Sequence, residues 1–174
     1  VTIEAVRCPN PMLFTLLATL LTQVTYPPCP PEGQHVADTA RLLSDADAAS
    51  VRTACEKLQR DHAIPLVVIT IPSMSSCGIR TTTIERFATQ VFDYYGATRS
   101  NWTRGILVLV SKDDRKARIE CGHDWGTSLN GQSASVMSGT MVPQFRRGDY
   151  SKGIASGVAA LANAAPGIRT RPQS

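Results

Sequence analysis

Five aliphatic residues in a row, Ile106 to Val110, place the strongest constraint on this chain. A run so continuous reads as a β-strand covered on both faces, because one exposed face would impose alternation. Ser111 to Arg115 is polar and charged, so the chain turns there. Lys116 to Cys121 then alternates, with Ala117, Ile119 and Cys121 on one face and Lys116, Arg118 and Glu120 on the other. That pattern fits a half-buried strand returning as a hairpin, with Glu120 as a surface residue. Leu66 to Ile71 is a second continuous apolar run, closed by Pro72 and followed by the loop SMSSCGIR.

Helices fill the spaces between these strands. Ser44 and Asp47 make an S-x-x-D start, and Val51, Ala54, Cys55, Leu58 and His62 then fall on one face. Thr81 to Tyr95 carries Ile84, Phe87, Ala88, Val91, Phe92 and Tyr95 at helical spacing, and Gly96 stops it. Gln132 to Phe145 and Tyr150 to Ala164 read as two further helices parted by Arg146-Arg147-Gly148-Asp149, and Val36-Ala37 as a short edge strand. The order predicts an α/β layered domain with a mixed sheet and helices on both faces. Its centre is a right-handed βαβ unit of strands 66–71 and 105–110, which must be parallel.

A chain of 174 residues suits one domain with a proper core. The net charge of +4 is spread over Arg7, Arg80, Arg86, Arg99, Arg104, Arg169 and Arg171, with no basic stripe, which argues against nucleic-acid binding. The five cysteines, Cys8, Cys29, Cys55, Cys77 and Cys121, match no zinc spacing, and Cys55 and Cys121 read as small buried hydrophobes. Residues 1–31 read as a leader or anchor plus a linker at Pro27 to Pro31. Met12 to Val24 has the length of a signal-peptide core but falls short of the ~20 residues that span a bilayer. The expectation is export, to a periplasm, the medium or the outer side of a membrane, with association through residues 12–24. The alternative is an N-terminal helix docked on the domain. The tail 165–174 reads as polar and frayed.

Four pieces in order resemble a known pattern: V-A-D-x-A-x-L-L-S at Val36 to Ser44, and R-G-I-L-V-L-V at Arg104 to Val110. D-D-R-K-A-R-I-E-C-G at Asp113 to Gly122 and V-P-Q-F-R-R-G-D-Y-x-x-G-I at Val142 to Ile154 complete it. Together they resemble the TPM domain family, over about residues 35–164. The resemblance implies a three-layer α/β/α sandwich on the outer side of a membrane. It also implies acid-phosphatase-like members, calcium-binding members and members with no established activity.

The parallel strands bring the Pro72 to Arg80 loop and the Lys112 to Arg115 turn to one sheet edge, where open α/β sheets usually take ligands. There Asp113 and Asp114 offer hard oxygens suited to calcium or magnesium, with Asp38 as a third carboxylate, and Arg115 offers a planar fork to phosphate. Arg80 with Thr81-Thr82-Thr83 at a helix start adds an anion site. The bland alternative is a solvated hairpin turn that needs no ligand. His123 and Asp124 emerge at the opposite edge, roughly 20 Å away, beyond reach of the same metal. His35 and His62 each stand alone and read as surface or helix-end residues. No serine or cysteine nucleophile has a recognisable base, and no glycine-rich nucleotide loop is present. Two functions follow. One is an accessory module that binds a divalent metal, an envelope protein or a small phosphorylated ligand. The other is a metal-dependent phosphomonoester hydrolase using Asp38, Asp113, Asp114 and Arg115.

Overall fold

The computed structural model describes residues 24–168. Four strands form one sheet in the order β1 (Val36–Asp38), β2 (Leu66–Ile71), β3 (Ile106–Ser111) and β4 (Lys116–Cys121). β1, β2 and β3 are parallel, and β4 returns antiparallel to β3. Every residue of β2 and β3 is buried, as two-sided coverage of a continuous apolar run requires.

The faces divide by parity. Leu66, Val68, Ile106, Val108 and Val110 pack under α1 (Asp45–His62) and α5 (Tyr150–Ala164). Val67, Ile69, Ile71, Leu107 and Leu109 pack under α2 (Ile84–Gly96). The result is the expected α/β/α sandwich. Strands β1 to β3 lie in sequence order while α1 and α2 take opposite faces, so the two crossovers have opposite hands. One of them therefore runs against the right-handed preference of such units.

Local chemistry sets the helix ends. Ser44 caps α1 by accepting from the Asp47 amide at 3.2 Å, as its sequence signature predicts. Thr83 caps α2 in the same way, so this helix starts at Ile84, directly after the threonine run and three residues later than the expected Thr81. The predicted helix 132–145 is α3 (Asn130–Val136), a π-helical stretch at Met137–Met141, and α4 (Val142–Arg146). Pro143 has no N–H for a regular i→i−4 bond, and the wider turns lie directly before it.

Two segments are more buried than expected. His35, read as a surface residue, is buried beside β2 with Nδ1 3.1 Å from the Leu66 carbonyl. Pro27 to Pro31, read as a linker, is clasped by α2 and the loop after it. Tyr95 donates to the Pro27 carbonyl, Arg99 to the Pro30 carbonyl, and Tyr26 stacks on Tyr94. His62 lies exposed at a helix end, as expected. Residues 12–23 of the expected leader, Cys8 and the tail beyond 168 lie outside the described residues. No helix among the described residues is long and apolar enough to cross a membrane.

Candidate functional site

The predicted sheet edge is assembled as expected, but its carboxylates have structural employment. Connections leaving β1 and β2 go to opposite faces, which ordinarily opens a ligand crevice between the strand ends. Here Asp38, at the end of β1, is engaged with backbone and hydroxyl donors. Its Oδ1 and Oδ2 accept from the Leu42 and Leu43 amides, both at 2.9 Å, and Oδ1 also accepts from the Thr70 hydroxyl. The loop leading into α1 is thereby tied down on β2.

Asp114 acts similarly at the β3–β4 turn. Its Oδ2 accepts from the Ser111 hydroxyl at 2.5 Å and from the Met74 amide at 2.7 Å. Those two donors, the Ser111 hydroxyl first, hold its carboxyl below the usual carboxylate range. The Asp113 amide donates to the Pro72 carbonyl at 2.8 Å, so turn and loop do lie side by side. The Asp113 side chain itself is exposed. Among the described residues, no three His, Cys, Asp or Glu side chains group as ion ligands, so Asp38 is not gathered with Asp113 and Asp114 into one cage. At the opposite edge His123 pairs with the buried Asp124 at 3.0 Å, and Asp124 also accepts from Thr103.

The open space lies around the corner, beside β4. A cleft of about 940 Å³ is bounded by the start of α2 (Thr83, Ile84, Glu85), by Arg115, Lys116 and Ala117, and by Met137, Val142, Phe145, Arg146, Gly148 and Tyr150. Three cations, Arg115, Lys116 and Arg146, face one acid, Glu85, over an apolar floor. Glu85 stays ionised: its own backbone N–H and the Thr83 hydroxyl hold its carboxyl below the usual range. Arg115 sits at φ +54, a left-handed conformation at the end of the four-residue turn, and it lines the cleft. A smaller cleft of about 500 Å³ continues along β4 past Arg118 and Glu120 to Asn130 and Ser133.

Close approach shapes the far wall. A Cβ on Gly153 would lie 2.7 Å from the Phe145 ring, and one on Gly157 would lie 2.5 Å from Met141 Cγ. Glycine at both positions lets α5 press against α4 and the π-helical stretch, and Phe145 stacks on Tyr150 at 5.1 Å. Sequence reasoning anticipated Arg115 but missed Lys116, Phe145, Arg146 and Tyr150 as site residues. The last three belong to the quoted F-R-R-G-D-Y segment, which reads locally as a break between helices. Only the tertiary fold carries it to β4. Arg80 and Thr81, expected as an anion site, are exposed in the loop before α2, and of that group Thr83 reaches the cleft.

Comparison with known proteins agrees with this architecture. A family model described as "TPM domain" matches residues 36–164. The chain is similar to the solution NMR structure of the N-terminal domain of a P. gingivalis protein, at TM-score 0.65 and 27% identity, covering 76% of this chain and 82% of that one. It is also similar to an N-terminal domain from Corynebacterium glutamicum, at TM-score 0.58 and 13% identity, covering 83% and 88% of the two chains. The BA42 protein of Bizionia argentinensis shares the fold at TM-score 0.56 and 15% identity, over 72% of this chain and 84% of that one. No curated protein matches the chain significantly.

Proposed function

Because the chain belongs to the TPM domain family, we propose that it is a non-catalytic binding module on the outer side of a membrane. Its cleft beside β4 takes an acidic segment of a partner protein. One observation carries the reading: the large cleft sets Arg115, Lys116 and Arg146 against the single acid Glu85, above an apolar floor. Such a surface rewards a ligand with both carboxylates and apolar side chains, and the cations speed its encounter. The engagement of Asp38 and Asp114 with backbone amides supports a structural role for these two carboxylates.

The alternative is the divalent-metal-dependent phosphomonoester hydrolase, with Asp113 as the most available of its carboxylates. A generic phosphomonoester assay with and without calcium or magnesium separates the two. The module reading predicts no turnover in any condition, and salt-sensitive binding of acidic peptides that is lost in Arg115→Glu/Arg146→Glu. Metal-dependent turnover abolished by Asp113→Asn would establish the hydrolase instead.

A further inference from the structure

We propose that the partner segment binds as a fifth strand, adding to the free edge of β4. This rests on the binding reading above and adds the manner in which the segment is held.

Hydrogen-bond parity leaves every second residue of β4 facing outward. The Gly122 amide donates to the Gly105 carbonyl at 2.9 Å, while Ile106 and Lys112 direct their amides to the β2 side, at Pro65 and Ile71. With the register Ile106↔Cys121 to Ser111↔Lys116, the alternation of an antiparallel ladder follows. Lys116, Arg118 and Glu120 spend their backbone groups on β3. Ala117, Ile119 and Cys121 point theirs outward, and none of these has a backbone partner among the described residues.

The smaller cleft confirms where that edge faces. Residues 117 to 121 line it consecutively, without skipping alternate positions. A cavity over a sheet face would touch every second residue, so this one runs along the strand's edge. Glu85 on α2 and Met137 at the π-helical stretch line both clefts, so β4 forms the floor of one trough walled by helix on either side. A trough of that kind admits a single extended segment.

Side-chain chemistry specifies the occupant. On the α2 side, Lys116, Arg118 and Glu120 would stand beside the added strand, with Arg115 at its end; Arg118 is paired with Glu120 at 3.1 Å, so the cationic end is that of Arg115 and Lys116. On the other side lie Ala117, Cys121, Ala134 and Met137. Cross-strand neighbours favour opposite charge and apolar pairs. The occupant is therefore an extended peptide whose acidic residues meet the Arg115–Lys116 end and whose alternate residues are apolar and β-branched. Main-chain bonds to Ala117 and Ile119 give affinity, and the alternating side chains fix register.

The test uses full-length protein and a seven-residue peptide alternating Glu with Val, capped at both ends. Two N-methylated forms block alternate amides: one set faces β4, the other faces away. Expected are binding of the parent peptide, loss of about tenfold or more for one methylated set, and no loss for the other. Ala117→Pro removes an outward N–H without touching the β3–β4 ladder, and should weaken binding equally while thermal unfolding stays cooperative. If that variant fails to fold, the two methylated peptides decide alone. Equal binding of both methylated forms, lost in Lys116→Glu, would overturn strand addition and leave the cationic cleft standing. No binding of the parent peptide at millimolar concentration would overturn both readings.

Discussion

Adjacent aspartates at one turn have opposite structural worth. Asp114 holds the Met74 amide and the Ser111 hydroxyl, whereas Asp113 points its carboxylate to solvent. Asp114→Ala should therefore cost about 1–3 kcal/mol in urea unfolding, and Asp113→Asn should stay within about 0.5 kcal/mol. Two pH dependences follow. Asp114 has a folded pKa depressed below 3.8, so its contribution is present above that value and is lost as pH falls towards the folded pKa. The stability gap between wild type and Asp114→Asn should narrow over that acid range. His35 is depressed from 6.5, chiefly by burial, so the folded state resists its protonation. Stability should fall as pH drops below 6.5, and less steeply in His35→Gln, as thermal unfolding across pH 4–8 would register. Calcium should shift the melting temperature of wild type and Asp113→Asn alike, since the neighbouring carboxylate, Asp114, is engaged with the Met74 amide and the Ser111 hydroxyl.

At the level of elements, the sequence was most legible where periodicity was strongest. β2, β3 and the alternating β4 stand where their apolar patterns put them, because burial on two faces or one leaves few other arrangements. The start of α1 was legible from Ser44 and Asp47. The cleft was not, because it joins Arg115, at the end of a hairpin turn, to Arg146 and Tyr150, which local reading places in an interhelical break. No short-range signal reports that meeting. Glycines carried a hidden part of the pattern. A Cβ on Gly122 would lie 2.1 Å from the Thr103 carbonyl oxygen, backbone that cannot swing away as a side-chain tip can. Gly122→Ala should destabilise by about 1–3 kcal/mol or more, measurable by chemical denaturation, with the strain falling where β4 leaves the sheet.

For the molecule as a whole, Asp38 ties the loop before α1 to the sheet edge, and a large cleft lies on the β4 side, between α2 and the α4–α5 corner. On the function proposed above, this side recognises an acidic segment. The most direct measurement is a backbone amide NMR titration of the full-length protein with the alternating Glu-Val peptide. Saturable shift changes are expected at residues 83–85, 115–121 and 137–150, diminishing as salt rises. Shifts centred on Asp38 and Asp113, with residues 115–121 unmoved, would contradict that function.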